Sequence, residues 1–280
     1  MAFLKSKAFR ICFSYFKSFF FVALYCILAL SITLIFNLSG FMGTFIANIM
    51  MVFICAGQFI DLRNKNKDSD FLKPRFKLNW STFFFVFVSL IVFTIFAFFS
   101  MSWITRITVD TNMTSRSDTY ISAIQSYGWF FYVFATCIIS PVAEEFVYRL
   151  FVYNNCRSTT GIVPATIFTS LLFGASHMTF GHLIIGSLFS VFLICVYELS
   201  GRKLWLCILF HVIYNTLAMF VPGEWFVQES AFSILSIIFV LIICVFLLIY
   251  VITKGEKAVS SDNRQLTQNK NNKQNKLRKR

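Results

Sequence analysis

Residues 83–103 read FFFVFVSLIVFTIFAFFSMSW, a run of 21 residues without a charged side chain. A hydrocarbon core about 30 Å thick is crossed by roughly 20 helical residues. Runs of similar apolar character recur along the chain, which predicts an all-α polytopic membrane protein with about eight transmembrane helices. The predicted spans are Phe13–Phe36, Phe41–Phe59, Phe83–Trp103, Trp129–Leu150, Thr160–Ser176, Leu183–Leu199, Leu204–Phe220 and Phe232–Ile252.

The composition excludes a separate soluble domain. The chain is 58% hydrophobic and only 13% charged, whereas about a quarter of the residues in soluble domains are charged. Its eight cysteines are scattered and form no CxxC pair, which argues against a disulfide framework or a structural zinc site.

The distribution of basic residues predicts the orientation. If the N-terminus is cytoplasmic and the number of spans is even, all 25 Lys and Arg residues except Arg106 and Arg116 lie on the cytoplasmic side. Both termini are therefore predicted to be cytoplasmic, in a cell membrane.

The C-terminal end differs from the rest of the chain. Residues 1–255 are predicted to form one transmembrane domain, and residues 256–280 a disordered basic cytoplasmic tail, because the tail is rich in Asn, Gln and Lys and has no apolar periodicity. Two interpretations of the tail stay open: contact with anionic lipid headgroups, or a topology signal without a ligand. The cytoplasmic placement of the basic residues explains the net charge of +13, so the charge does not indicate nucleic-acid binding.

Ionisable residues that are costly in lipid concentrate in the second half of the chain. The fourth span ends in IISPVAEEFVYRLFVY, residues 138–153. Glu145 and Arg149 are i,i+4 neighbours on a helix and can form an ion pair. Glu144 points about 100° away from that pair, which leaves it available for chemistry.

Two further spans carry polar groups. The fifth continues into LLFGASHMTFGH, in which Phe173 precedes His177 by four residues, and the seventh reads LWLCILFHVIYNT, with His211 and Asn215 on one face. His182 and Glu198 fall at predicted span ends, where we expect them to be interfacial, His182 without a partner.

Together these residues resemble the motifs of the CPBP family of intramembrane proteases, also called the CAAX-protease or Abi family. The family pattern is EExxxR, then FxxxH, then HxxxN, each in a membrane helix. Here the motifs read EEFVYR, FGASH and HVIYN. The similarity covers about residues 125–220 and implies an intramembrane cavity that holds a polar active site.

The resemblance implies an endopeptidase that hydrolyses a membrane-associated peptide or precursor. Glu144 and His177 would activate a water molecule, while His211 and Asn215 would donate hydrogen bonds to the oxyanion. Glu145, Arg149 and Phe173 would support the site.

The requirement for a metal stays open at this point. His177, His211 and Glu144 could form a His₂Glu zinc site with one open position. They could also act without metal, and the pairing of one histidine with an amide in HxxxN favours that interpretation.

Two alternatives to a protease are consistent with the sequence. One is a non-proteolytic membrane protein, such as a bacteriocin immunity protein or a scaffold that regulates a sensor kinase. The other is a transporter, since intramembrane Glu, Arg and His also mark ion pathways. Oligomeric state cannot be predicted from these patterns.

The predicted span ends create one conflict. They put Glu144 on the cytoplasmic side of the midplane and His177 on the outer side, roughly 15 Å apart in depth. If both act on one water, the fourth or fifth helix must be broken, tilted or shifted in register, and Pro141, Pro164 and Gly174 are the expected positions.

Overall fold

The computed structural model describes residues 7–65, 78–107, 121–220 and 232–254, which form nine helices and no strand. The helices are α1 (Lys7–Ile35), α2 (Gly40–Lys65), α3 (Trp80–Ile107), α4 (121–127), α5 (Trp129–Thr160), α6 (Ile162–Ser176), α7 (His182–Leu199), α8 (Leu204–Phe220) and α9 (Phe232–Lys254). The predicted all-α class is confirmed. The predicted tail, residues 256–280, lies outside the described residues.

Six of the described helices are long and apolar enough to cross a membrane. The two shorter apolar helices, α6 with 15 residues and α8 with 17, correspond to the fifth and seventh predicted spans. The chain is thus a multi-pass membrane protein. The count of eight crossings and the cytoplasmic position of both termini stay predictions.

Large apolar side chains cover the outside of the helical assembly. Phe130 is 83% exposed and Leu34 is 79% exposed, whereas Glu145 and Arg149 are fully buried. This distribution is the one a lipid solvent favours, because lipid accepts apolar surface and makes an unpaired charge costly. Charged groups inside the assembly must therefore satisfy one another.

The fourth span is longer than predicted. The sequence places its end at Leu150, but α5 continues to Thr160 and has 32 residues. Its length of about 48 Å exceeds the hydrocarbon core, so the helix must tilt or extend beyond it. Arg149 and Arg157, assigned above to a cytoplasmic segment, lie inside α5 and are buried. The helix continues past them because carboxylates partner both guanidinium groups.

The longer helix removes the conflict over depth. α5 and α6 form a hairpin at Gly161, which has a φ of 92° that residues with a side chain rarely adopt. Glu144 precedes Gly161 by 17 residues and His177 follows it by 16. Both residues therefore lie about 25 Å from the turn, at the same level of the hairpin. The predicted depth difference is wrong because it depended on a fourth span that ended too early.

The segment of α5 that carries the two glutamates has an unusual backbone. Ser140–Glu145 is α-helical, and π-helical segments flank it at Phe134–Ile139 and Phe146–Tyr153. A π-helical turn shifts the side chains after it relative to a regular α-helix, and such turns are frequent at functional sites. The helix is thus re-registered on both sides of Glu144 and Glu145.

Candidate active site

A chain of polar contacts joins α5 to α8 in the buried core. Arg149 Nε lies 3.0 Å from Glu145 Oε2, so the pair predicted from the i,i+4 spacing is present. Glu145 Oε1 accepts a hydrogen bond of 2.8 Å from His211 Nδ1. Because a carboxylate accepts, His211 carries its proton on Nδ1, and its Nε2 is directed to the other side of the ring.

Glu144 lies at the end of this chain. Its Oε2 atom is 3.6 Å from His211 Nε2, and its Oε1 atom accepts a hydrogen bond of 2.9 Å from Ser140 Oγ. The Glu144 side chain is 14% exposed, whereas that of Glu145 is fully buried. The adjacent glutamates therefore have different environments: Glu145 is held by Arg149 and His211, and Glu144 reaches the edge of the core.

The ring of Phe173 connects the three motifs. It is buried in α6, with the Arg149 guanidinium carbon 5.1 Å from its centroid, a distance typical of cation–π contact. The His177 ring lies 5.0 Å from Phe173 and the His211 ring 6.0 Å from it, centroid to centroid. Tyr148 packs edge-on against the same ring at 5.0 Å. Phe173 thus brings both motif histidines to one apolar side chain.

His177 directly follows the last residue of α6. Its Nδ1 atom lies 2.9 Å from the carbonyl oxygen of Phe173, which can only accept, so Nδ1 carries the proton. In the neutral ring Nε2 is then the basic atom. The hydrogen bond to the Phe173 carbonyl thus fixes the Nδ1-protonated tautomer of His177. Glu145 fixes the same tautomer of His211.

His182 lies beside the candidate site, a position that the sequence analysis did not predict. Its ring stacks on the His177 ring with a centroid distance of 5.1 Å and an interplanar angle of 2°. Its Nδ1 atom is 2.7 Å from Thr179 Oγ1. The expectation that His182 has no partner is wrong, because the turn between α6 and α7 folds His182 back onto His177. Its interfacial position stays a prediction. His177 and His211 therefore contact Phe173, and His182 joins the group through His177.

Asn215 lies one turn beyond His211 and contacts α5 at a different level. Its Nδ2 atom donates to the Thr136 carbonyl oxygen over 3.3 Å. In a π-helix a carbonyl oxygen accepts a hydrogen bond from the backbone N–H five residues later. For Thr136 that residue is Pro141, whose backbone nitrogen carries no proton. Asn215 satisfies a carbonyl that Pro141 leaves without a backbone donor.

A second buried cluster lies where α5 ends and α7 ends. Glu198 Oε1 is 2.8 Å from Arg157 Nε and 3.5 Å from Arg202 Nε, and it accepts a hydrogen bond of 3.0 Å from the Tyr153 hydroxyl. Glu198 is 1% exposed, so it is buried within the protein; its position at the membrane interface stays a prediction. One carboxylate therefore partners two guanidinium groups inside the protein.

The candidate zinc ligands do not converge in this structure. Among the described residues, no group of three or more His, Cys, Asp or Glu side chains is arranged to hold a metal ion. His211 Nδ1 donates to Glu145, and His177 Nδ1 donates to the Phe173 carbonyl oxygen. The set of His177, His211 and Glu144 does not fit a zinc ion here, and no step below uses one.

Comparison with known proteins gives one finding for the same segment. Residues 126–217 match the family model described as type II CAAX prenyl endopeptidase Rce1-like. The chain matches no curated protein and no solved structure. The matched segment contains all three motifs and every residue of the Arg149–Glu145–His211–Glu144 chain. Residues 126–217 are therefore similar to the Rce1-like family, in agreement with the CPBP-family resemblance of the three motifs.

Proposed function

We propose that this protein is an intramembrane endopeptidase that hydrolyses a peptide bond with water activated by Glu144. The observation that carries the proposal is the continuous chain Arg149–Glu145–His211–Glu144. When His211 is protonated, positive and negative charges alternate along these four residues and their sum is zero. A water-excluding site with fixed charges stabilises charge that develops in a transition state far better than bulk water does.

Glu144 is the proposed general base. Its carboxylate takes one proton from a water molecule while the water oxygen forms a bond to the peptide carbonyl carbon. The Ser140 hydroxyl holds Oε1, so that Oε2 stays directed toward His211. When the carbon–nitrogen bond breaks, Glu144 returns the same proton to the leaving amine, and no other reactant is needed.

The two motif histidines are proposed to act on the two sides of that water. His177 is held at Nδ1 by the Phe173 carbonyl, so its basic Nε2 can help Glu144 orient the water. His211 is held at Nδ1 by Glu145, so its protonated form can donate from Nε2 to the oxyanion. Glu145 and Arg149 then stabilise the imidazolium and lie too deep to contact substrate.

Asn215 is the second proposed oxyanion donor. One of its amide protons is used by the Thr136 carbonyl. An asparagine amide has two protons, which leaves one for substrate. Removal of one oxyanion donor typically lowers kcat by two to three orders of magnitude.

The proposed substrate is a membrane-associated peptide or precursor segment. The matched family is described as a CAAX prenyl endopeptidase family, and a lipid-anchored chain would reach a site inside the membrane. The apolar outer surface of the helices supports delivery from the lipid phase rather than from water.

The test is cleavage of a quenched peptide library by the purified, detergent-solubilised protein. Wild type is compared with Glu144→Gln, His177→Ala and His211→Ala, with and without a strong chelator, and thermal unfolding checks that each variant is folded. We expect all three variants to lose cleavage and the chelator to have no effect. Cleavage that persists in Glu144→Gln would contradict the proposal. A cellular phenotype that survives the same substitution would favour an immunity or scaffold role.

A further inference from the structure

The turn between α6 and α7 reverses the chain at Met178. This residue has a φ of 55°, in the left-handed region that residues other than glycine rarely adopt. The Met178 side chain is 77% exposed, so its own packing does not explain the conformation. Unfavourable backbone of this kind persists where the surrounding structure holds it, and it is concentrated at functional sites. The turn is therefore a place to look for a role that the three motifs do not include.

Thr179, the next residue, fixes the side chain of His182. Its Oγ1 atom accepts a hydrogen bond of 3.3 Å from the His182 backbone nitrogen, as a helix-capping hydroxyl does. The same Oγ1 atom lies 2.7 Å from Nδ1 of the His182 ring. One threonine thus holds both the backbone and the ring of His182.

The start of α7 is shaped around this histidine. A π-helical segment begins at His182 and runs to Gly186, which shifts the side chains after it relative to a regular α-helix. Gly181 packs closely on α3, where an added Cβ would lie 2.8 Å from Met101 Sδ. Contacts from α3 and from Thr179 therefore support the segment that carries His182.

The ring of His177 is the surface that His182 covers. The two rings are parallel within 2°, with centroids 5.1 Å apart, and the Phe173 ring lies 5.0 Å from His177. His177 is the first residue after α6, so no further turn of that helix surrounds its side chain. The orientation of the His177 ring thus depends on its hydrogen bond to the Phe173 carbonyl and on the two neighbouring rings.

We propose that His182 is a positioning residue, which holds the His177 ring by stacking while Thr179 holds His182. The inference rests on the proposed peptidase function and adds to it a residue outside all three motifs. A catalytic side chain works efficiently only when it is held within about 0.5 Å and 10–20° of its productive position. His182 acts through the flat face of its ring, so another flat ring can replace it.

The first experiment measures peptide cleavage by two variants of His182. His182→Leu keeps a side chain of similar size without a flat ring, and His182→Phe keeps the ring without its nitrogens. We expect kcat to fall about ten- to a hundredfold in His182→Leu with little change in KM, because small misplacements of a catalytic group are costly. His182→Phe should keep most of the wild-type kcat.

The matched control is Phe180→Ala, since Phe180 lies on the same turn and is 52% exposed. Its kcat should equal that of the wild type, and thermal unfolding shows whether each variant is folded. A normal kcat in His182→Leu overturns the proposal. An equal loss in His182→Leu and His182→Phe also overturns it, because the nitrogens rather than the stacked face would then matter.

The second experiment tests the support from Thr179. Thr179→Val removes the hydroxyl at nearly constant volume, and Thr179→Ser keeps it. We expect Thr179→Val to lower kcat in the same direction as His182→Leu, and to add little further loss when it is combined with His182→Leu, since both act on the same ring. Fully additive losses in the double variant would show that Thr179 does not act through His182.

The third experiment observes the His177 ring without cleavage. The chain has three histidines, so the protein labelled with ¹⁵N,¹³C-histidine gives few ring signals in a nuclear magnetic resonance spectrum, and single substitutions assign them. We expect the His177 ring signals to move in His182→Leu and Thr179→Val, because the ring current of the stacked partner is lost or displaced, and to stay near their wild-type positions in Phe180→Ala. Unchanged His177 signals in His182→Leu overturn the proposal. Failure of the wild type to cleave any peptide counts against the peptidase function, and this measurement still tests the positioning of His177.

Discussion

His211 of α8 donates from Nδ1 to Glu145 of α5 across 2.8 Å, although 66 positions separate the two residues in the chain. This contact distinguishes two glutamates that look equivalent in sequence. Glu145 is bound on both oxygens by Arg149 and His211, and Glu144 keeps an oxygen directed at His211 Nε2. One carboxylate therefore belongs to the scaffold, and its neighbour is the candidate base.

The first prediction concerns the ion pair under the site. Arg149→Met leaves the Glu145 carboxylate buried with only His211 as a partner, and an unpaired buried charge costs about 3–5 kcal/mol. We expect the free energy of unfolding, measured by denaturing-detergent titration, to fall by about that amount. The double variant Arg149→Met with Glu145→Leu should recover part of the loss. A double variant less stable than either single variant would contradict the pairing.

The second prediction concerns the orientation of Glu144. Ser140→Ala removes the hydroxyl that holds Oε1, and a hydrogen bond to a charged group contributes about 1.5–3 kcal/mol. We expect kcat for a cleaved peptide to fall at least about tenfold with little change in KM, and Ser140→Thr to restore most of it. The matched control is Ser89→Ala, whose hydroxyl bonds only its own helix at Phe85. Equal losses in the two alanine variants would show that Ser140 has no positioning role.

The third prediction concerns the close packing of α6 on α7, which brings His177 and His182 together. A Cβ atom added to Gly174 would overlap Ser187 Oγ and lie 2.8 Å from the Leu183 carbonyl oxygen. Because backbone cannot move aside cheaply, Gly174→Ala should lower stability by about 1–3 kcal/mol.

The control for that substitution is Gly57→Ala in α2, where an added Cβ meets nothing within 4 Å. There we expect an unchanged or slightly higher unfolding midpoint, since alanine is the better helix former. Both variants are followed by thermal unfolding in detergent. An unchanged unfolding midpoint in Gly174→Ala would mean that α6 and α7 are less tightly packed than described.

The fourth prediction separates the two buried carboxylate clusters. Glu198→Gln weakens the ion pairs with Arg157 and Arg202 at the far ends of α5 and α7. We expect a clearly lower unfolding midpoint with normal specific activity per folded molecule. Glu144→Gln should do the opposite, with an unchanged midpoint and no activity. The same effect from both substitutions would refute the division into a structural cluster and a site.

Local spacing was sufficient for part of the site. The i,i+4 separation of Glu145 and Arg149 predicted their ion pair, and uncharged runs such as residues 83–103 predicted the membrane helices, because both depend on helix geometry alone. The end of the fourth span was predicted wrongly, since Arg149 and Arg157 resemble the boundary of a membrane segment. Only their carboxylate partners reveal that these arginines are interior residues. The partner of Arg157 is Glu198, which lies 41 positions later in the sequence and on a different helix.

By itself, the amino-acid sequence determined the all-helical membrane class, the three motifs and the identity of the polar residues that lipid would not tolerate alone. Only the tertiary structure decided which of them meet. It pairs His211 with Glu145, stacks His182 on His177 and brings Glu144 and His177 to one level of the α5–α6 hairpin. The physical reason is that helix periodicity acts over one or two turns, whereas each buried charge or imidazole must find a partner on another helix, and sequence spacing does not specify that partner.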